Sequence, residues 1–320
     1  MRAVVVVVVN GCEHKRGRVK LSAMATAGPV AAFYAKGNEA WASCLMADVA
    51  AHGVPIIDAT RSDRPAAVAQ ARAMLIVHSW FGGSNGGGLP TEKEIAHVKS
   101  NGGRVVVARR NWTKIHSEDY PGRDVVFALW DGYYQPAPHP AGRAPDSGWA
   151  GLLGQFGIRR AKNDVPSNYV FISYRRKVNG AFVREQLRGA LALGGFASWD
   201  YCATENMDEP DPNEVSPSTK ARLVSLVTNA SALVVVATSG WWSPWTALEL
   251  ATARAMPGKP IVLVRPAESR PSRRALLNGV SVEVLRPGQL TAPRTTAALA
   301  AAGVSSVLPP NHGTQWPKRP

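Results

Sequence analysis

Val170-Phe171-Ile172-Ser173-Tyr174-Arg175-Arg176 reads as a buried strand running out into a polar edge, and Val30-Ala31-Ala32-Phe33-Tyr34 repeats its apolar part early in the chain. An apolar run without alternation suits a strand covered on both faces, the condition of a parallel sheet. Outward from the first run, a helix is predicted over 180–193, ended by Gly194-Gly195, then a strand over 196–199 closed by Asp200. Outward from the second, a helix over 39–51 ends near Gly53 and a strand over 54–57 ends at Asp58. Ala73-Met74-Leu75-Ile76-Val77 then matches Ser231-Ala232-Leu233-Val234-Val235. Glu94-Ile95-Ala96 ahead of Gly103-Arg104-Val105-Val106-Val107 matches Glu249-Leu250-Ala251 ahead of Gly258-Lys259-Pro260-Ile261-Val262. The period, roughly 140–158 residues, is too long for a solenoid and fits two copies of one α/β domain.

The expected fold is therefore two flavodoxin-like, three-layer α/β domains with parallel five-stranded sheets. Residues 28–160 and 168–303 carry the two domains, 1–27 are an N-terminal extension, and 304–320 are a Pro-rich tail expected to be loosely ordered. The valine run at 4–9 is short and is followed directly by charge, which makes a poor secretion signal and favours Met24 as the start. A Pro-rich stretch at 136–146 is expected as an exposed excursion.

Composition narrows the function. With 320 residues, 45% apolar and 19% charged, the chain is long enough for two cores and excludes fibrous and disordered classes. No apolar run approaches the roughly 18–20 residues of a membrane span, so no membrane partner is expected. Cys12, Cys44 and Cys202 form neither a CxxC pair nor an even set, which points to a reducing, cytoplasmic compartment. Thirty-seven basic against 23 acidic residues leave +14, but the excess is spread over both halves in short clusters. A solvated basic surface accounts for it, and a nucleic-acid partner is not expected.

Several signals are missing. The glycine-rich stretch 82–88 lacks the Gly-Lys-Ser/Thr of a phosphate loop, no Gly-x-Gly-x-x-Gly opens a helix, and no Gly-x-Ser-x-Gly elbow occurs. Histidines and cysteines show no ligand spacing, so neither a metal nor a bound cofactor is expected.

The second half holds the sharper constellation. In a parallel sheet, the strand carboxyl ends and the helix starts that follow them line one crevice. Ser173, Tyr174, Arg175 and Arg176, the strand-terminal Asp200 and the loop 238–245 should meet there. Glu249 lies one helical turn after Trp245, so both can face the same crevice.

On the Phe-Ile-Ser-Tyr-Arg-Arg strand, the Gly194-Gly195-Phe196 helix end, Asp200 and the Ser243-x-Trp245-x-x-x-Glu249-Leu250 helix, the segment from about Asn168 to Gly303 resembles a bacterial Toll/interleukin-1 receptor (TIR) domain. The first half resembles a degenerate TIR-like or nucleotide-binding-like domain. The resemblance implies an NAD+ glycohydrolase, with an ADP-ribosyl cyclase activity also open, acting in a bacterial immune or signalling response. It sets the family's catalytic glutamate on Glu249 and NAD+ in the role of substrate. It also implies self-association, although the acidic, glycine-free stretch 201–217 departs from the basic, Pro-Gly-containing loop of many relatives. A catalytically silent interaction or nucleotide-sensing module is the alternative.

The residues suit that chemistry on their own terms. Loss of nicotinamide builds oxocarbenium-like charge on ribose, which a carboxylate such as Glu249 stabilises. Trp245 or Trp242 offers a flat face to an aromatic ring, Ser173 a ribose contact, and Arg175 and Arg176 suit a pyrophosphate. Each also has a plain structural reading: Glu249 as the solvated position of a helix, cheap to truncate; Trp245 as packing; Asp200 as a brace. The first half keeps Tyr34, Asp58 and Glu94 but has Ala35-Lys36 in place of the arginines and Pro90 in place of the tryptophan. Its glutamate is expected to be a surface helix residue.

Overall fold

The computed structural model describes residues 28–35, 37–79, 88–110, 125–129, 156, 168–200, 216–265, 284–285 and 292–309. The expectations for 1–27, the glycine-rich stretch before Gly88, the Pro-rich stretch, the acidic stretch 201–215, Cys12 and Cys202 lie outside these residues.

The first half runs β1 (Val30–Tyr34), α1 (Glu39–Ala51), β2 (Ile56–Asp58), α2 (Arg64–Gln70), β3 (Ala73–Ser79), α3 (Glu92–Ser100), β4 (Arg104–Arg110) and β5 (Val125–Leu129). Its strands lie in the order β2-β1-β3-β4-β5, with every pairing parallel. The second half runs β6 (Val170–Ser173), α4 (Arg176–Phe182), a π-turn (Val183–Leu187), α5 (Arg188–Leu193), β7 (Ser198–Trp199), α6 (Pro217–Asn229), β8 (Ala232–Val236), α7 (Pro244–Arg254), β9 (Ile261–Val264), β10 (Val284–Leu285) and α8 (Ala292–Ala301). Its order, β10-β9-β8-β6-β7, is the same path and is again parallel throughout. This is the doubly wound order whose ligand crevice opens between the first and third strands. No described helix is long and apolar enough to cross a membrane.

Each sheet is packed on both faces, because successive side chains point to opposite sides. Ala32, Leu75 and Val106 join α1 on one face, while Phe33, Met74, Ile76 and Val107 join α2 and α3 on the other. In the second half Phe171, Leu233 and Val235 face α6 and α7, and Ile172, Val234 and Val262 face α5 and α8. Burying each such side chain contributes roughly 1.5–3 kcal/mol before the entropy of ordering it.

The duplication reaches the hydrogen-bond register. Val30 N donates to Pro55 O as Val170 N does to Ala197 O, and Arg72 N donates to Pro29 O as Ser231 N does to Tyr169 O. One detail corrects the sequence match. Leu233, paired with Phe171 as Met74 is with Ala31, sits opposite Ile261, whereas Met74 sits opposite Val105. The run from the helix glutamate to the matching strand position is therefore one residue longer in the second half, Glu249 to Ile261 against Glu94 to Val105. The left-handed glycine that matches Gly258 (φ 74°) is Gly102 (φ 72°), not Gly103.

The halves meet along α1 and α5. In α1 every residue from Trp41 to Val49 is buried, and in α5 all six residues are. A helix buried on every side has to be covered on every side, and these two cover each other, with Ser43, Asp48 and Arg188 among the residues enclosed. Ala192 of α5 belongs to the cluster around Cys44 and Leu45, while Ala47 and Ala51 of α1 belong to the one around Trp199. The start of the tail expected to be loosely ordered is instead tied down: Val307 N and Leu308 N both donate to the Gly195 carbonyl. Gly195 has φ 84°, and a Cβ there would collide with the Leu308 carbonyl.

Candidate functional site

Two short sequences place the glutamate of the second half. Ser243 caps α7, accepting from Thr246 N at 3.2 Å while its own N–H donates to Thr246 Oγ1 at 2.8 Å, with Pro244 as the first helical residue. Because threonine closes this box, the glutamate three residues on is not used for capping. It reaches the carboxyl end of β6, where Ser173 Oγ donates to Glu249 Oε2 at 2.5 Å. Ser173 is fully buried and Glu249 only 6% exposed. The expectation of a solvated helix position is thereby corrected: α7 follows β8, the strand beside β6, and its inward face lies against the strand ends.

Tyr174, next in the chain, donates from its hydroxyl to Asp200 Oδ1 at 3.2 Å, and Asp200 also forms a buried ion pair with Arg188. Arg175 is the N-cap of α4 and donates from Nη1 to the Gly240 carbonyl at 3.5 Å, tying the loop after β6 to the loop after β8. Arg176, the first residue of α4, is partly exposed. Trp242 is half-buried at the edge of the apolar cluster that holds Trp241 and Trp245. Trp245 is 8% exposed and Trp241 not at all, so both have the packing position of core residues. Ser173, Tyr174, Arg175, Asp200 and Glu249 are thus brought to the carboxyl end of one sheet, Ser173 and Glu249 at the crossing between first and third strands and Asp200 behind the second strand.

Sequence reasoning missed one polar group of this region, Arg188, and gave Thr238 only as the start of the loop 238–245. Arg188 is signalled only as a lone charge ahead of Gly189-Ala190-Leu191-Ala192-Leu193. Thr238, just beyond β8, has a buried Oγ1 with no hydrogen-bond partner. An unpaired buried hydroxyl costs roughly 1–3 kcal/mol. Thr238→Val keeps the shape and removes that hydroxyl, so urea unfolding is expected to show a gain of about 1 kcal/mol; a loss instead would mean that the hydroxyl is bonded.

The first half builds the same edge differently. Tyr34 donates to Asp58 Oδ2 at 2.8 Å, repeating the tyrosine–aspartate bond of the second half. Burial raises the Asp58 carboxyl above its ordinary range and raises the Tyr34 hydroxyl too, further helped by the neighbouring Asp58 charge. In place of Ser173 stands Phe33, with the Arg64 guanidinium 4.9 Å over its ring. Arg64 pairs with Glu94 at 2.5 and 2.7 Å, and Glu94 also closes a capping box with Thr91. α3 begins nearer its glutamate than α7 does, so Glu94 is spent on the helix start.

The Arg64 bond holds the Glu94 carboxyl down at about 2, against an ordinary 4.5. A lowered carboxyl contributes stability above the unfolded value and loses it as pH falls through the folded one. The stability advantage of the native chain over Glu94→Gln is therefore expected to be full above about pH 5 and to vanish towards pH 2. Urea titrations across that range would show it, and a pH-independent difference would refute it.

No family model matches the chain. No curated protein matches it either. Among solved structures, two described as two-component system response regulator/GGDEF domain proteins are similar over 86% of this chain and 99% of theirs, at 10% identity and TM-scores of 0.29 and 0.28. At that level neither bears on fold or function. Among the described residues, no group of three His, Cys, Asp or Glu side chains is placed to hold a metal.

Proposed function

We propose that the second half is a TIR-type NAD+ glycohydrolase with Glu249 as its catalytic carboxylate. The observation that supports this most is a buried carboxylate, bonded to a strand-end serine, at the crossing where doubly wound sheets take their ligands. In the reaction, the bond from ribose C1′ to the nicotinamide nitrogen breaks and its electron pair neutralises the pyridinium. The ribosyl carbon is left oxocarbenium-like, and Glu249 stabilises it from a site poor in water, where a fixed charge acts most strongly. Water then adds at C1′ and loses a proton, giving ADP-ribose; capture by an adenine nitrogen instead gives a cyclic product. Ser173 holds the carboxylate by its Oε2. Arg175 and Arg176 flank the pyrophosphate, the exposed part of Trp242 offers a flat face, and Tyr174, held by the buried Asp200, forms the rim.

A second reading, a catalytically silent interaction or nucleotide-sensing module, draws on the burial of Trp245 and on the engagement of Asp200 and Arg175 within the fold. Nicotinamide release from NAD+ by the intact chain separates the two. Release above the spontaneous rate supports the glycohydrolase. No release from concentrated protein that self-associates by light scattering supports the module.

A further inference from the structure

The seam between the halves contains a charge. Arg188 is wholly buried at the start of α5, directly after the π-turn, and pairs with Asp200. Its backbone carbonyl accepts from Cys44 Sγ of α1 at 3.7 Å, across the seam. Asp200 in turn receives the Tyr174 hydroxyl, one residue from Ser173. A continuous set of contacts therefore runs from α1 of the first half to the rim of the candidate site in the second.

The first half shows what the tyrosine–aspartate bond needs by itself. Asp58 takes the Tyr34 hydroxyl and is otherwise served by the backbone amides of Thr60 and Arg61 and by the charge of the exposed Arg61 side chain, without a buried arginine. Placing a guanidinium and a carboxylate together away from water carries a desolvation penalty that their attraction often only offsets. The arginine of the second half is thus more than the same latch requires for folding.

We propose that Arg188 is a positioning residue: seated by α1 across the seam, it orients Asp200 so that Tyr174 stands fixed at the rim of the Ser173–Glu249 site. This rests on the glycohydrolase reading of that site, and it makes the first half a structural part of the site. The arginine's planar fork suits the task, since lysine offers a point charge with freely turning donors.

The test uses the full chain labelled with 3-fluorotyrosine, with the Tyr174 and Tyr34 fluorine resonances assigned by Tyr174→Phe and Tyr34→Phe. In Arg188→Lys the Tyr174 resonance is expected to move while that of Tyr34, whose aspartate has no buried arginine, stays in place; in Cys44→Met, whose side chain shares the core cluster of Tyr34, only the Tyr174 resonance is read, and it is expected to move. Kinetics form the second arm. Arg188→Met combined with Asp200→Asn removes both buried charges together. It is expected to stay folded yet raise KM for NAD+ about tenfold, with kcat changed by less than about threefold. If the double variant does not fold, Arg188→Lys is expected to give a KM increase of the same direction. An unmoved Tyr174 resonance in both seam variants, or a native KM in a folded variant, overturns the proposal. If the native chain releases no nicotinamide, the glycohydrolase reading fails and the fluorine shifts alone decide the positioning.

Discussion

Nicotinamide release is expected to fall about a thousandfold when Glu249 becomes glutamine, the equivalent of about 4 kcal/mol of transition-state stabilisation. The amide keeps an oxygen that can accept the Ser173 hydroxyl, so the bond from β6 to α7 survives and only the charge is lost. Glu249→Ala is a different experiment. It strands the buried Ser173 hydroxyl and is expected to cost about 1–3 kcal/mol of stability, which reverses what a helix-surface position would predict. Glu94→Gln is the internal control: its carboxylate serves Arg64 and the start of α3, and turnover should not change. Native turnover in Glu249→Gln would end the glycohydrolase reading, and equal losses in the two variants would mean a site shared between the halves.

The largest loss of stability is expected from Arg188→Met. It leaves Asp200, itself fully buried, without its ionic partner in the interior, and broken buried pairs of this kind cost about 3–5 kcal/mol. Adding Asp200→Asn should recover most of that loss, because the stranded charge goes with it. Urea unfolding of the two single variants and the double variant gives the coupling directly. A loss below about 1 kcal/mol in the single variant would mean that water reaches the pair.

Much of the fold could be read before any coordinates. The apolar runs at Val30–Tyr34 and Val170–Ser173, the glycines behind the helices and the aspartates behind the second strands are all local signals. A strand covered on both faces needs apolar residues on both, and a connection that turns left-handed needs glycine. Glu249 stood out because it lies one helical turn after Trp245 and repeats Glu94. Its burial did not, since helical spacing gives a direction around the axis but not what lies in that direction. The match of Glu94 to Glu249 shows the same limit. The sequence spacing is shared, yet Thr91 draws one carboxylate into a cap, while Thr246 leaves the other to Ser173.

By itself, then, the chain's order of residues determined two rounds of strand and helix, the parallel pairing and the edge at which polar residues collect. These depend on periodicity and on neighbours within a turn or two. Tertiary structure alone decided which glutamate is buried against a serine, that Trp245 packs inward, that the tyrosines reach the aspartates, that Glu249 stands one residue further from its matching strand position than Glu94 does, and that Arg188 meets Asp200. It also decided that α1 and α5 lie together, although both are mostly apolar around the axis. Broad apolarity says that a helix must be covered; it does not say by what, because hydrophobic burial has no direction.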